Sequence, residues 1–227
     1  MILVYFFCHI KISSTMLCYL DELKSVEIIL ASTSPRRKEI LQNLGLQFSS
    51  VCPNVDESLP LETFKSTPAY IEALAKLKVD AVVNTFAINQ RNCVIIGADT
   101  VVCFQGNIFG KPSSHSDAVN ILSRLSGNIH QVITGVCLNW IASGKQHKLD
   151  QFHEITNVKM AELNPDIIEA YVQSGEPMDK AGAYGIQGLG SSLIERIDGD
   201  YFNVVGLPIC RLCKYLKVGY EEIMSLN

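Results

Sequence analysis

Apolar residues along the chain switch between two spacings, and the switches mark the elements. A β-branched run, Val-Glu-Ile-Ile-Leu at 26–30, precedes the polar stretch Ala-Ser-Thr-Ser-Pro-Arg-Arg at 31–37; Ile40, Leu41 and Leu44 then return at helical spacing. Ser34 suits an N-cap, Pro35 the first helical turn and Gly45 the stop. The pattern predicts a strand, a turn and a helix, with a second strand over 47–51. Thr67-Pro68 opens a helix predicted to reach about Val83, with Ile71, Leu74, Ala75 and Val82 on its apolar face. The position completing that face is Lys78; Lys76 lies off it.

Residues 84–92 are polar and lack periodicity, which reads as a loop. A long apolar strand signal follows over 93–104, of the kind buried on both faces, and Gln105-Gly-Asn107 reads as a hairpin turn returning Ile108 and Phe109. Ser114 caps a helix with Ala118, Ile121, Leu122 and Leu125 inward, closed by Gly127. Strands are predicted over 132–140 and 149–160. Asn164-Pro165 then opens a helix with Ile167, Ile168, Tyr171 and Val172 inward. A glycine-rich loop occupies 177–190, strand pieces are predicted over 193–197 and 203–205, and a last helix turns Ile209, Leu212 and Leu216 inward.

Composition narrows the class without naming it. With 227 residues, 48% hydrophobic and 19% charged, the chain has room for one substantial core and carries no repeat or low-complexity tract. A net charge of -4 argues against broad nucleic-acid binding, so anionic ligands must be met by local clusters. The eight cysteines sit mostly singly in apolar runs, as free thiols in a reducing compartment do, and Cys210-Arg-Leu-Cys213 lacks the partner pair of a metal site. The apolar start at residues 1–8 has no basic flank and is too short to span a bilayer. Residues 1–25 read as a poorly ordered extension, from a start upstream of Met16, with a weak signal or anchor as the alternative. Residues 26–220 read as a single domain and 221–227 as a tail.

Three features carry chemistry. The turn at 31–37 converges backbone N–H groups, hydroxyls and two arginines on one point, which suits phosphate; a capped helix with two solvated arginines is the bland alternative. Asp99 interrupts a strand that reads as buried, where an unpaired carboxylate costs several kcal/mol, so it must surface into a cleft or meet a cation. The loop at 177–190 combines four glycines with Asp179, Lys180 and Gln187, a composition suited to close backbone approach. Lys78, at a core edge, and Lys111, returned toward Asp99 by the hairpin, are candidate cations. Asp56 and Glu57 are candidate metal or water ligands, and His130 reads as a satisfied histidine at a strand start.

Taken in order, Ala31-Ser-x-Ser-Pro-Arg-Arg, Gly97-Ala-Asp-Thr, Gly110-Lys-Pro, Gly127-x-x-His-x-Val-x-Thr-Gly, Asp179-Lys-Ala-Gly-Ala-Tyr-Gly-Ile-Gln-Gly and Asn203-Val-Val-Gly-Leu-Pro resemble the Maf family of nucleoside triphosphate pyrophosphatases. The resemblance runs from about Ile28 to Leu216. It implies an α/β fold related to the inosine triphosphatases, with an elongated mixed sheet flanked by helices and two lobes around a central cleft. It also implies a cytoplasmic enzyme, often a homodimer, that takes a small-molecule nucleoside triphosphate and no nucleic acid or membrane. The expected reaction is hydrolysis to the monophosphate and pyrophosphate with a divalent cation, Mg2+ or Mn2+, whose ligands stay unassigned. The resemblance assigns Asp99 as the proton acceptor and Arg36, Thr100 and Gln187 as specificity positions of the branch acting on dTTP and UTP. Ser32, Arg37, Glu57, Lys78, Lys111 and Lys180 match positions around the phosphates and metal. The competing class is a non-catalytic nucleotide-sensing or partner-binding regulator of cell division; the chemical competence of every site position argues against it.

Overall fold

The computed structural model describes residues 19–85 and 92–225. In chain order these form β1 (Glu27–Ala31), α1 (Pro35–Asn43), β2 (Ser49–Val51), α2 (Thr67–Thr85), β3 (Cys93–Phe104), β4 (Asn107–Phe109), α3 (His115–Leu125), β5 (Ile129–Ala142), β6 (Lys145–Met160), α4 (Pro165–Gln173), β7 (Ile194–Asp198), α5 (Tyr201–Val205) and α6 (Ile209–Met224). The strands make one mixed sheet of seven, ordered β2-β1-β3-β5-β6-β7, with β4 also on β3. Its spine is β3, β5 and β6, joined antiparallel.

One edge of β3 is shared. β1 runs parallel to it from Cys93 to Gly97, and β4 runs antiparallel to it from Val102 to Phe104. Between these partners, residues 98–101 have a ladder neighbour only on the β5 side, where Asp99 faces Gly135 and Thr100 faces Thr134. A strand that reads as buried therefore opens at the position of its one carboxylate, as expected where a sheet splits to admit a ligand.

Apolar faces hold helices on both sides of the sheet. Ile71, Ala75, Val79 and Val82 of α2 pack against Ile29, Ile95, Cys137 and Ile141 or continue that layer toward Val101 and Ile133. The opposite face, with Leu30, Val94, Ile96, Leu138 and Trp140, receives Leu41 of α1 and Leu212, Leu216 and Ile223 of α6. A separate core at the far end joins Val102, Val132, Val158 and Met160 to α3 and α4. Residues of these last two cores, Val205 from one and Val102, Val132 and Tyr184 from the other, line a common cavity. Close approach of α2 to the sheet needs glycine at two points: a Cβ on Gly97 would lie 2.6 Å from the Ala75 carbonyl oxygen, and one on Gly135 2.7 Å from that of Ile71.

Several details differ from the sequence pattern. The stretch 203–205, predicted as a strand, belongs to helix α5; Asp200 caps it at Phe202 N–H (2.8 Å) and Gly206 ends it. Ile167, predicted inward, is 42% exposed, because the inward stripe of α4 is Ile168, Tyr171 and Val172. Strands β5 and β6 are longer than predicted, joined through Ser143 and Gly144 at φ of 50° and 76°. The hairpin after β3 has Gln105 and Gly106 at φ of 48° and 75°, the primed-turn geometry that matches strand twist. Part of the extension assigned to 1–25 is ordered, with a 3-10 turn at Glu22–Ser25 and Leu23 buried against the core; residues 1–18, including Cys8 and Cys18, lie outside the described residues. So does most of the loop at 84–92, and α6 runs through part of the stretch assigned to the tail.

Candidate functional site

The turn after β1 is built as its sequence suggests. Ser34 caps α1 by accepting from Arg37 N–H, Pro35 occupies the first turn, and Ser32 Oγ accepts from Ser34 N–H at 3.1 Å. The cap directs Arg37 inward, where it is only 8% exposed: Nε donates to Gly206 O (2.8 Å) and Nη2 to Thr100 Oγ1 (3.0 Å). Burial draws the guanidinium below its usual range, and the charge of Asp99 opposes this. Thr134 donates to Asn203 O (3.0 Å), so in the 2.9 Å contact between the two hydroxyls Thr100 is the donor. Arg37, Thr100, Thr134 and the backbone of α5 thus form one directed chain.

Lys78 rises from α2 into the gap in β3. Its ammonium lies 2.5 Å from Asp99 Oδ1 and 2.9 Å from Glu57 Oε2, with the Lys78 side chain 9% and the Asp99 side chain 14% exposed. A buried charge demands such partners. Among the described residues, Asp99 Oδ2 accepts no hydrogen bond, and it is the oxygen left for a ligand or water. Lys76, on the neighbouring face, pairs with Asp80 and stays out of the site.

The far wall comes from the glycine-rich loop. Arg36 Nη1 donates to Asp179 Oδ2 (2.7 Å) and Nη2 to Asp179 O (3.0 Å), while Lys180 Nζ reaches Asp179 Oδ1 (2.7 Å). Burial alone would raise the Asp179 carboxyl, but the hydrogen bonds and charges of Lys180 and Arg36 outweigh it and hold it at about 2. Behind this wall His130, 2% exposed, meets the Tyr184 hydroxyl at 2.6 Å through Nε2. Burial pushes the imidazole down to about 4. His130 is a packed core histidine, but the satisfied reading holds only at Nε2: among the described residues its buried Nδ1 meets no hydrogen-bond partner.

These walls enclose one cavity of about 880 Å³. Of the residues singled out from the sequence, Ser32, Arg36, Arg37, Glu57, Lys78, Asp99, Thr100, Lys111, Asp179, Lys180 and Gln187 line it; Asp56 does not, its Oδ1 accepting instead from Ser58 N–H (3.0 Å) in an exposed turn. Sequence reasoning missed Glu176 and Tyr184, which also line it. Both sit inside or beside the glycine-rich loop, and neither carries a spacing signal of its own. Among the described residues no group of three or more His, Cys, Asp or Glu converges as a metal cluster. Glu57 and Asp99 nevertheless share one cation, and one or two carboxylates completed by substrate phosphates are a usual Mg2+ donor set, so the residues present fit such a cation.

The charge inventory defines the kind of ligand. Arg36 and Lys180 are matched by Asp179, and Lys78 by Glu57 and Asp99, whereas Arg37 bonds only to neutral oxygens and Lys111 has no ion pair among the described residues. A cavity with cations from α1, α2 and the loops at 111 and 180, and one carboxylate in a strand gap, has the charge pattern of a site for a polyanionic small molecule. The match to known families is specific: residues 27–218 fit the Maf-like protein family, and the chain belongs to it. A dTTP/UTP pyrophosphatase of Alkaliphilus metalliredigens is 50% identical over 190 residues, spanning 83% of this chain and 94% of that protein. The dTTP/UTP pyrophosphatases of Dictyoglomus thermophilum and Aquifex aeolicus are 45% and 43% identical, over 86% and 85% of this chain and 97% and 95% of their own lengths. A solved nucleoside-triphosphatase / dITP/XTP pyrophosphatase of Mycobacterium abscessus superposes with a TM-score of 0.39 at 14% identity, over 74% of this chain and 82% of that one, too weak a likeness to argue from. Among the described residues no helix is long and apolar enough to cross a membrane.

Proposed function

We propose that this protein hydrolyses pyrimidine nucleoside triphosphates, dTTP and UTP, to the monophosphate and pyrophosphate. The observation that carries the reading is Asp99 on the cavity wall in the gap of β3, with one oxygen tied to Lys78 and the other accepting no hydrogen bond among the described residues. Support also comes from relatives of 43% to 50% identity that bear the name dTTP/UTP pyrophosphatase.

In this reading Arg37, Lys111 and the N-terminus of α1 hold the phosphates, because these donors are not neutralised by carboxylates. Water approaches the α-phosphorus and Asp99 Oδ2 takes its proton, while Lys78 fixes the carboxylate. A divalent cation would be held by Glu57 together with the substrate phosphates and would supply positive charge against them. Gln187 offers a donor and an acceptor to the imide edge of the base, Arg36 offers donors, and Thr100 lines the same cavity beside them. The unmatched charges of Arg37 and Lys111, together with site positions that are all chemically competent, disfavour a purely sensing role. The same reading includes a cytoplasmic enzyme without nucleic-acid partners, in keeping with the net charge of -4, and a homodimer measurable by light scattering.

Replacing Asp99 by Asn tests it. Pyrophosphate release is expected to fall by about a hundredfold or more while the thermal transition persists. Near wild-type turnover in the variant removes Asp99 from the base role.

A further inference from the structure

One short 3-10 turn, Glu176–Asp179, bonds the Arg36 side chain at one end and, at the other, the backbone of the loop that carries Gln187. At its C-terminal end Asp179 holds Arg36 through a side-chain and a backbone oxygen, at 2.7 and 3.0 Å. At its N-terminal end Glu176 faces the loop that carries Gln187. Glu176 Oε1 accepts from Gly190 N–H (2.9 Å) and Tyr171 OH (3.0 Å), and Oε2 from Leu189 N–H (2.9 Å). The Tyr171 oxygen accepts in turn from Gly185 N–H at 3.2 Å. Lys180 bonds Glu176 O (2.6 Å) and Asp179 Oδ1 (2.7 Å), closing the turn on itself.

The loop fits the carboxylate closely. A Cβ on Gly188 would lie 2.7 Å from Glu176 Oε2, and one on Gly190 2.3 Å from Gly185 O. Glycine is therefore required for the backbone to wrap this tightly. The wrapped N–H groups would otherwise form an anion-binding concavity. Glu176 fills it from inside the protein, as Asp179 neutralises Arg36. This wall of the cleft keeps its hydrogen-bonding groups and loses its pull on phosphate, which suits an uncharged base.

We infer that the Glu176–Asp179 turn is a positioning element for base selection, fixing Arg36 and Gln187 relative to one another so that the pyrimidine, and not the phosphate tail, lies against it. This rests on the pyrimidine triphosphatase reading above. The experiment is steady-state kinetics of the full chain and its Glu176→Gln, Glu176→Asp and Asp179→Asn variants on dTTP, UTP, dATP and dGTP. The ratio of pyrimidine to purine kcat/KM is expected to fall about tenfold in Glu176→Gln and Asp179→Asn, carried by KM for the pyrimidines, and to recover in part in Glu176→Asp. Arg36→Ala combined with Asp179→Asn should discriminate no worse than Arg36→Ala alone. Rates that drop equally on all four nucleotides, or additive losses in the double variant, overturn the inference; Asp179→Asn, on a half-exposed side chain, supplies the answer if Glu176→Gln does not fold. A wild type with no pyrimidine preference defeats the underlying reading and the inference with it, whereas preference kept in wild type and variants alike defeats the positioning role alone.

Discussion

The Lys78 ammonium lies 2.5 Å from Asp99 Oδ1, in a gap that the sheet leaves between β1 and β4. α2 supplies the cation and β3 the carboxylate, so the pair reports whether helix and sheet are seated correctly. Lys78→Met leaves the carboxylate unpaired in a largely buried place and should destabilise the fold by about 3 kcal/mol in urea titration. Adding Asp99→Asn should restore part of that loss, since the uncompensated charge is gone; fully additive losses would show that the pair is not coupled.

Gly135 is the cross-strand neighbour of Asp99, and its missing Cβ is what lets α2 lie on the sheet. Gly135→Ala should cost about 2 kcal/mol and lower turnover together, because α2 carries Lys78 outward as it moves. Gly110→Ala, with nothing within 4 Å of the added methyl, serves as the stability control and should stay within about 0.5 kcal/mol.

Arg37 donates in two fixed directions, to Gly206 O and Thr100 Oγ1. Lysine cannot reproduce that fork. Arg37→Lys should raise KM about tenfold for every triphosphate alike, in contrast to the base-selective variants at Glu176 and Asp179. A KM effect confined to pyrimidines would move Arg37 from the phosphates to the base.

His130 sets an acid limit on stability. Its imidazole titrates at about 4 in the fold against an ordinary 6.5, so between these values the unfolded chain binds a proton that the native protein does not. Stability should therefore fall as pH drops from about 6.5 toward 4, by up to about 3 kcal/mol. His130→Gln, which can keep the Tyr184 contact and does not titrate, should flatten that part of the Tm profile. An unchanged profile would assign the acid loss to other groups.

What could be read from the sequence follows from how local the signal is. The cap and proline at Ser34-Pro35, the primed turn at Gln105-Gly106 and the helical stripe through Ile71 and Lys78 are set by neighbours in the chain, and each element forms where its pattern places it. The stretch 203–205 read as a strand because its β-branched residues outweighed a cap at Asp200 and a stop at Gly206. Asp99 announced itself as a carboxylate in a buried strand, but the reason it can sit there, a strand edge shared between β1 and β4, depends on pairings remote in sequence. Glu176 was invisible for the same reason: its meaning lies in N–H groups of Leu189 and Gly190 that only the folded loop brings to it.

The most direct measurement is hydrolysis of a nucleotide panel with Mg2+ and with Mn2+, following pyrophosphate, monophosphate and inorganic phosphate together. With Asp99 as base and a pyrimidine held by Arg36 and Gln187, dTTP and UTP should yield pyrophosphate and monophosphate in equal amounts, with purine triphosphates at least about tenfold slower in kcat/KM. Inorganic phosphate as the product, which means cleavage at the γ position, or equal rates on purines and pyrimidines, would contradict the function assigned to this cleft.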